Sequence, residues 1–293
     1  MENNLSVIER SQSELADLMG VGDDTSAPSR SALAHLKQVH QPIMGTKTID
    51  GEEMSVAVIK AGSYCAKLSD GTECYSDTVT IRPFLQRFCY ERYDQNFAKA
   101  DGGQGAYIRT VFAKTLNQDL KDNNGTYNCG RPSGYVKDWN SLPEDMQTLM
   151  RTCRRAKVIF GLCKLDKATD VDGNPIDVEE FPFKMHVTSK ESFKNFDALY
   201  KDIQRRNKLP IEFEVKLKSE LRDNASGNKY GVMIPSLGKP MEITTDEQDV
   251  LQNFATWVET TNSRTSDLWA EKQKDDLSPE ESDIVGSLVD IEE

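Results

Sequence analysis

Apolar and polar side chains alternate along much of this chain, and the remaining apolar residues recur mostly at helical spacing. The runs MSVAVIK (54–60), GSYCAKL (62–68) and CYSDTVTIRPFLQRFCYERY (74–93) are β-branched, aromatic and alternating, which predicts strands. Asp70-Gly71 between two of them is a hairpin signal, because glycine accepts the positive φ that a tight turn requires. AYIRTVFAKT (106–115) and AKVIFGLCKLD (156–166) predict further strands, and FPFKMHV (181–187) predicts a half-buried one. IEFEVKLKS (211–219) alternates most strictly and, with KYGVMIP (229–235), predicts a second hairpin turning at NASGN.

Helical spacing marks three places. Ser141-Leu-Pro-Glu144 has the form of a helix start, after which Met146, Leu149, Met150 and Cys153 share a face and Arg151, Arg154 and Arg155 complement the dipole at its end. Phe193, Phe196, Leu199, Tyr200 and Ile203 form a second apolar stripe. Thr245 to Gln248 reads as a capping box, opening a closing helix whose stripe is Val250, Leu251, Phe254, Trp257 and Val258. The loops DGGQG (101–105) and DNNGTYNCGRPSG (122–134) are long enough to be mobile or functional. The expected fold is mainly β with helices (α+β): about seven short strands, one inserted helix and a C-terminal helix, as an antiparallel barrel or sandwich.

The expected domain plan has three parts. Residues 1–48, interrupted by GVGDDTSAPSRS, read as a flexible arm outside the core; residues 49–270 form the domain; residues 271–293 are an acidic tail. With 293 residues, 37% of them apolar, the chain can build a substantial core. No window is apolar enough to span a bilayer and the first ten residues lack a secretory pattern, so no membrane contact and a cytoplasmic location are expected. In that setting the six cysteines are expected to be reduced.

Charge is unevenly placed. The formal net charge is −12, and from Glu271 to Glu293 nine acids face only Lys272 and Lys274, a net of −7. From Arg151 to Tyr230 the balance reverses, with 17 Lys and Arg against 13 Asp and Glu. A basic body with an anionic terminus suggests a protein that handles a polyanion. In the tail, Ser278-Pro-Glu-Glu281 is another helix start, and Ile284 with Leu288, and Val285 with Val289, stand at i and i+4. Asp283, Ile284, Val285, Leu288, Val289, Asp290 and Ile291 are therefore the expected partner-binding segment. Such a tail, tethered beside a cationic groove, also competes for it at high effective concentration.

No phosphate loop, nucleophile elbow, HExxH or dinucleotide fingerprint is present, and with three histidines a catalytic histidine constellation has little material. No catalytic residues, no cofactor and no metal are expected, since neither cysteine nor histidine spacing matches a zinc module. Ala168 to Glu179 matches a calcium loop at four positions but lacks its first ligand, and reads as a polar turn. The informative pattern is basic and aromatic interleaving. In the run from Ile81 to Tyr93 one parity collects Arg82, Phe84, Phe88, Tyr90 and Arg92, with Tyr107, Arg109 and Lys114 on the next run and Arg154, Arg155 and Lys157 beyond. Flat rings for unstacked bases, with cations for phosphates, are what single-stranded nucleic acid requires. The same rings also suit a core, with the arginines snorkelling at strand ends.

IRPFLQRFCYERY, the order of elements from Ala156 to Pro235 and the acidic terminus together resemble the single-stranded-DNA-binding proteins of tailed bacteriophages. That resemblance covers roughly half the chain as an order of elements. It implies an OB-type five-stranded barrel, binding of single-stranded DNA with little sequence preference during replication, recombination or repair, and an acidic tail recruiting a polymerase, helicase or primase. For a phage-encoded protein it places the chain in the host cytoplasm. The alternative carried from sequence is a virion or scaffold component assembling through its tails.

Overall fold

The computed structural model describes residues 33–49, 52–98, 104–133, 136–223, 227 and 229–275. The alternating runs form eleven strands among these residues: β1 (Ala34–Gln38), β2 (Ile43–Ile49), β3 (Glu52–Ile59), β4 (Tyr64–Lys67), β5 (Glu73–Ser76), β6 (Thr78–Ala98), β7 (Gln104–Arg109), β8 (Arg154–Asp166), β9 (Phe181–Val187), β10 (Phe213–Asp223) and β11 (Lys229–Pro240). Three α-helices accompany them: α1 (Glu144–Thr152), α2 (Lys190–Arg205) and α3 (Thr245–Asp275). Nine strands make one sheet in the order β11-β10-β6-β8-β9-β1-β4-β5, with β7 also on β6, while β2 and β3 pair separately. Each pairing is antiparallel except that of β1 with β9.

The fold is mixed α/β with most of its structure in this large sheet, and no closed barrel forms among the described residues. The sheet does curl. Tyr64 Oη on β4 donates to the Lys218 carbonyl on β10, Gln38 Nε2 on β1 donates to Ser219 Oγ, and Ser76 Oγ on β5 donates to the Asp166 carbonyl at the end of β8. The main core lies inside that curl, where Leu36, Tyr64, Phe183, Met185, Val215 and Leu217 pack with Phe196 of α2. A second core lies on the other face, where Phe84, Val158 and Phe160 meet Phe254 and Val258 of α3.

Several expectations hold. The Asp70-Gly71 hairpin joins β4 to β5, with Gly71 at φ 90°. The strict alternation of β10 buries Val215 and Leu217 and exposes Lys216 and Lys218. The stripe from Phe193 to Ile203 lies on α2, which buries Phe196 and Ile203. The turn at 170–174 is held by Asp170, which accepts from the N–H groups of Asp172 and Asn174.

Others need correction. Residues 34–38, expected in an outlying arm, are a sheet strand with Leu36 fully buried, because β1 supplies a missing partner to both β9 and β4. Two helices interrupt the strand series, not one. At α1 the N-cap position falls on Pro143, and Ser141 Oγ donates instead to the Asp138 carbonyl. The box opening α3 is shifted one residue, with Thr244 and Glu247 bonded to each other. The acidic tail beyond Asp275 and the loop residues 99–103 lie outside the described residues.

One local irregularity decides which way the side chains of β6 point. The β6–β8 register shifts between Pro83 and Leu85, which leaves Phe84 as an extra residue. Such a bulge exchanges the two faces of the strand beyond it. Gly161 stands opposite, where an added Cβ would overlap the Arg82 carbonyl oxygen; only glycine fits that approach.

Candidate nucleic-acid interface

The bulge divides the basic and aromatic track. Arg82 and Phe84 turn toward α3, as do Leu85, Cys89 and Glu91 beyond the bulge, whereas Phe88 turns toward α2. A single ring-lined face collecting Arg82, Phe84, Phe88, Tyr90 and Arg92 therefore does not exist, because period two fails across an inserted residue.

Arg82 is not available to phosphates. Its Nε donates to the Ile211 carbonyl at 2.9 Å, one terminal nitrogen to Glu247 at 2.6 Å and the other to the Glu242 carbonyl at 2.7 Å, so the buried guanidinium clamps the start of α3 to the sheet. The Thr244 hydroxyl and N–H, with Arg82, hold the Glu247 carboxyl down to about 2. Phe84 is a core ring 5.8 Å from Phe254. Tyr90 is buried with Ile108, Cys129 and Cys153. Arg92 donates to the Cys129 carbonyl and to Asp94, and Arg109 donates to Glu91 at 3.2 Å. Lys157 has no exposed side chain: its Nζ meets Asp197 at 2.5 Å and sits 4.5 Å from the Phe193 ring centre and 5.9 Å from that of Phe88. Burial lowers its pKa, opposed by the hydrogen bond to Asp197. These residues were expected on a binding surface, and each is instead buried or committed to a partner within the fold.

Three of the expected residues do converge. Phe88, Lys114 and Arg155 line a shallow cleft of about 240 Å³ with Thr115, Leu116 and Phe193. The cleft exists because Ala113 bridges to Phe88, bringing Lys114 beside β6, while α2 brings Phe193 over the start of β8. The two rings stand 6.0 Å apart and tilted by 32°. Lys114 and Arg155 are exposed and form no ion pair among the described residues. Arg154 is also exposed but, one residue from Arg155 in a strand, points to the opposite face. Tyr107 is exposed and packs edge-on to Tyr93 at 5.4 Å, with Arg109 near it at 5.9 Å; by strand parity this second ring pair lies on the face of β6 opposite Phe88.

Sequence reading missed three features. Arg131 lies 5.7 Å from the Tyr90 ring centre, which nothing in the loop sequence announced. Phe193 was assigned only to a helix stripe, although its position early in α2 leaves it half-buried at the cleft. A larger cleft of about 660 Å³ is lined by Lys60, Lys167, Lys216 and Lys218 together with Asp77, Asp166, Ser63 and Thr78. Lys60 pairs with Asp77 at 3.4 Å, whereas Lys167, Lys216 and Lys218 are exposed without an ion pair among the described residues. Strict alternation in β10 was the available signal for Lys216 and Lys218; Lys60 and Lys167 come from separate turns and carried none.

Beneath Arg109 a polar cluster crosses the sheet. Glu91 Oε2 is 2.8 Å from His186 Nδ1, and the His35 ring centre is 5.6 Å from that of His186. Burial alone would raise the Glu91 pKa, but His186 and Arg109 more than offset it and hold the carboxyl down to about 2. Burial lowers the pKa of His186, with Glu91 opposing.

In comparisons with known proteins, no family model, curated protein or solved structure matches the chain.

Proposed function

We propose that this chain binds single-stranded DNA without enzymatic activity and with little sequence preference, in the service of replication, recombination or repair. The observation that carries the reading is the cleft in which Phe88 and Phe193 offer half-buried ring surface beside the exposed cations Lys114 and Arg155, which form no ion pair among the described residues. An unstacked base requires a flat apolar neighbour and its phosphate a cation within reach; base stacking on such rings is worth about 1–3 kcal/mol per base. The lysine-lined cleft on the outer face of β10 and the Tyr93–Tyr107 pair lie on the other face of the sheet and are separate exposed features, outside the path through this cleft. The curl that returns β1, β4 and β5 onto β10 and β8 supports an OB-like reading of the sheet, with its surface used as such folds use theirs.

In this reading the acidic, aliphatic-studded terminus recruits replication proteins and competes for the same cations. The test is fluorescence anisotropy of labelled oligothymidylate titrated with the full chain at two salt concentrations. Binding that weakens steeply with salt is expected; no binding at low salt, or affinity indifferent to salt, overturns the reading. A second reading, an assembly component, draws on the separate β2–β3 ribbon, which leaves Met44 and Met54 exposed. Ordered oligomers of the purified chain in sedimentation without nucleic acid would favour it.

A further inference from the structure

Cys89 and Glu91 stand two apart on β6 and share the face turned to α3, while His186 comes from β9, two strands away across β8. Ala156 is the β8 residue paired with Cys89, and its small side chain leaves room for groups from β6 and β9 to meet over the middle strand. They do meet: the thiol sulfur, a carboxylate oxygen and an imidazole nitrogen all lie within 4.8 Å of one another. His35, on the neighbouring strand β1, stands at the rim with its ring edge-on to that of His186.

The geometry points to a binding site for a zinc-like divalent cation formed by Cys89, Glu91 and His186, with His35, whose ring packs against that of His186, as the fourth ligand. Thiolate, imidazole and carboxylate are the three donor types zinc selects, whereas calcium and magnesium take oxygen alone. Donors at about 2.0–2.3 Å from a tetrahedral ion are roughly 3.3–3.8 Å apart. The observed spacings bracket that range, from 2.8 Å between Glu91 Oε2 and His186 Nδ1 to an upper bound of 4.8 Å within the cluster, so side-chain rotation by about 1 Å or less brings the donors to it. In that state the ion replaces the hydrogen bond between His186 and Glu91, and Arg109, now 3.2 Å from the same carboxylate, is the outer group that orients it. An ion here fastens β6 and β9 across β8, with β1 adding the fourth ligand, and its role is structural. Metal binding at this cluster is independent of DNA binding.

Cobalt(II) is a suitable probe because a thiolate ligand gives it an intense charge-transfer absorption. Full-length protein stripped of metal should bind one equivalent of cobalt with that absorption, lose it on addition of zinc, lose it in Cys89→Ser, and keep it in Cys163→Ser, whose cysteine lies in the other core. No thiolate absorption in the unaltered protein, or absorption that survives Cys89→Ser, overturns the site. Should Cys89→Ser not fold, X-ray absorption of the zinc-loaded unaltered chain decides: one sulfur with nitrogen and oxygen neighbours is expected, and a shell without sulfur overturns the proposal.

Discussion

Arg82 and Arg155 are both cations on the central strands β6 and β8, and their fates are opposite. Arg82 precedes the bulge, faces α3 and is held by a carboxylate and two carbonyls. Arg155 pairs with Tyr90 beyond the bulge, stays exposed and lines the cleft with Phe88. The same residue type is structural on one side of an inserted residue and available to a ligand on the other. Strand parity therefore assigns function only as far as the register is continuous.

The comparison can be broken most forcefully at its buried end. Arg82→Ala should lower stability by about 3–5 kcal/mol in urea denaturation, since it removes a buried guanidinium and leaves the Ile211 and Glu242 carbonyls without that donor, while DNA affinity of the folded protein stays unchanged. A loss of affinity without a loss of stability would reverse the assignment. Gly161→Ala should cost about 2–4 kcal/mol by the same measurement, because the new methyl meets the Arg82 backbone. Stability within 0.5 kcal/mol of the parent, on the order of an inert surface change, would show that the bulge does not depend on that approach.

At the open end the effects move from folding to binding. Phe88→Leu keeps an apolar side chain but removes the ring, and should weaken oligothymidylate binding by about 1–3 kcal/mol in anisotropy titrations. Arg155→Ala and Lys114→Ala should each reduce the slope of log affinity against log salt by about 0.7 with no change in unfolding midpoint. An unchanged slope in both would remove this cleft from the DNA path. The smallest effect is a pH dependence. Glu247 titrates near 2 in the folded chain against about 4.3 in an unfolded one, so its contribution is complete above about pH 4.3 and is lost as pH falls toward 2. Glu247→Gln should flatten that part of the acid-stability curve.

Much of the fold was legible because its elements are two-faced. β9, β10 and α2 each bury one side and expose the other, so periodicity located them closely. β1 was missed since AHLKQ is only five residues long and has no partner nearby in sequence on one side; its neighbour β9 comes from residues 183–185. The bulge left one unused sign, the glycine at 161 inside an otherwise unbroken strand, which marks close backbone approach. Lys157 looked like a cation in an alternating run, but its position under α2 depends on packing that no local pattern encodes. Cys89, Glu91 and His186 could not be grouped by spacing, because topology alone unites β6 with β9.

The parallel seam between β1 and β9 bears on how the chain is born. β1 leaves the ribosome before any other described strand and meets its antiparallel neighbour β4 soon after, yet its other flank stays bare until β9 has emerged. Until then the nascent protein carries an unfinished hem of backbone donors and acceptors. Closure of that hem is a late, long-range event that should set the pace of maturation.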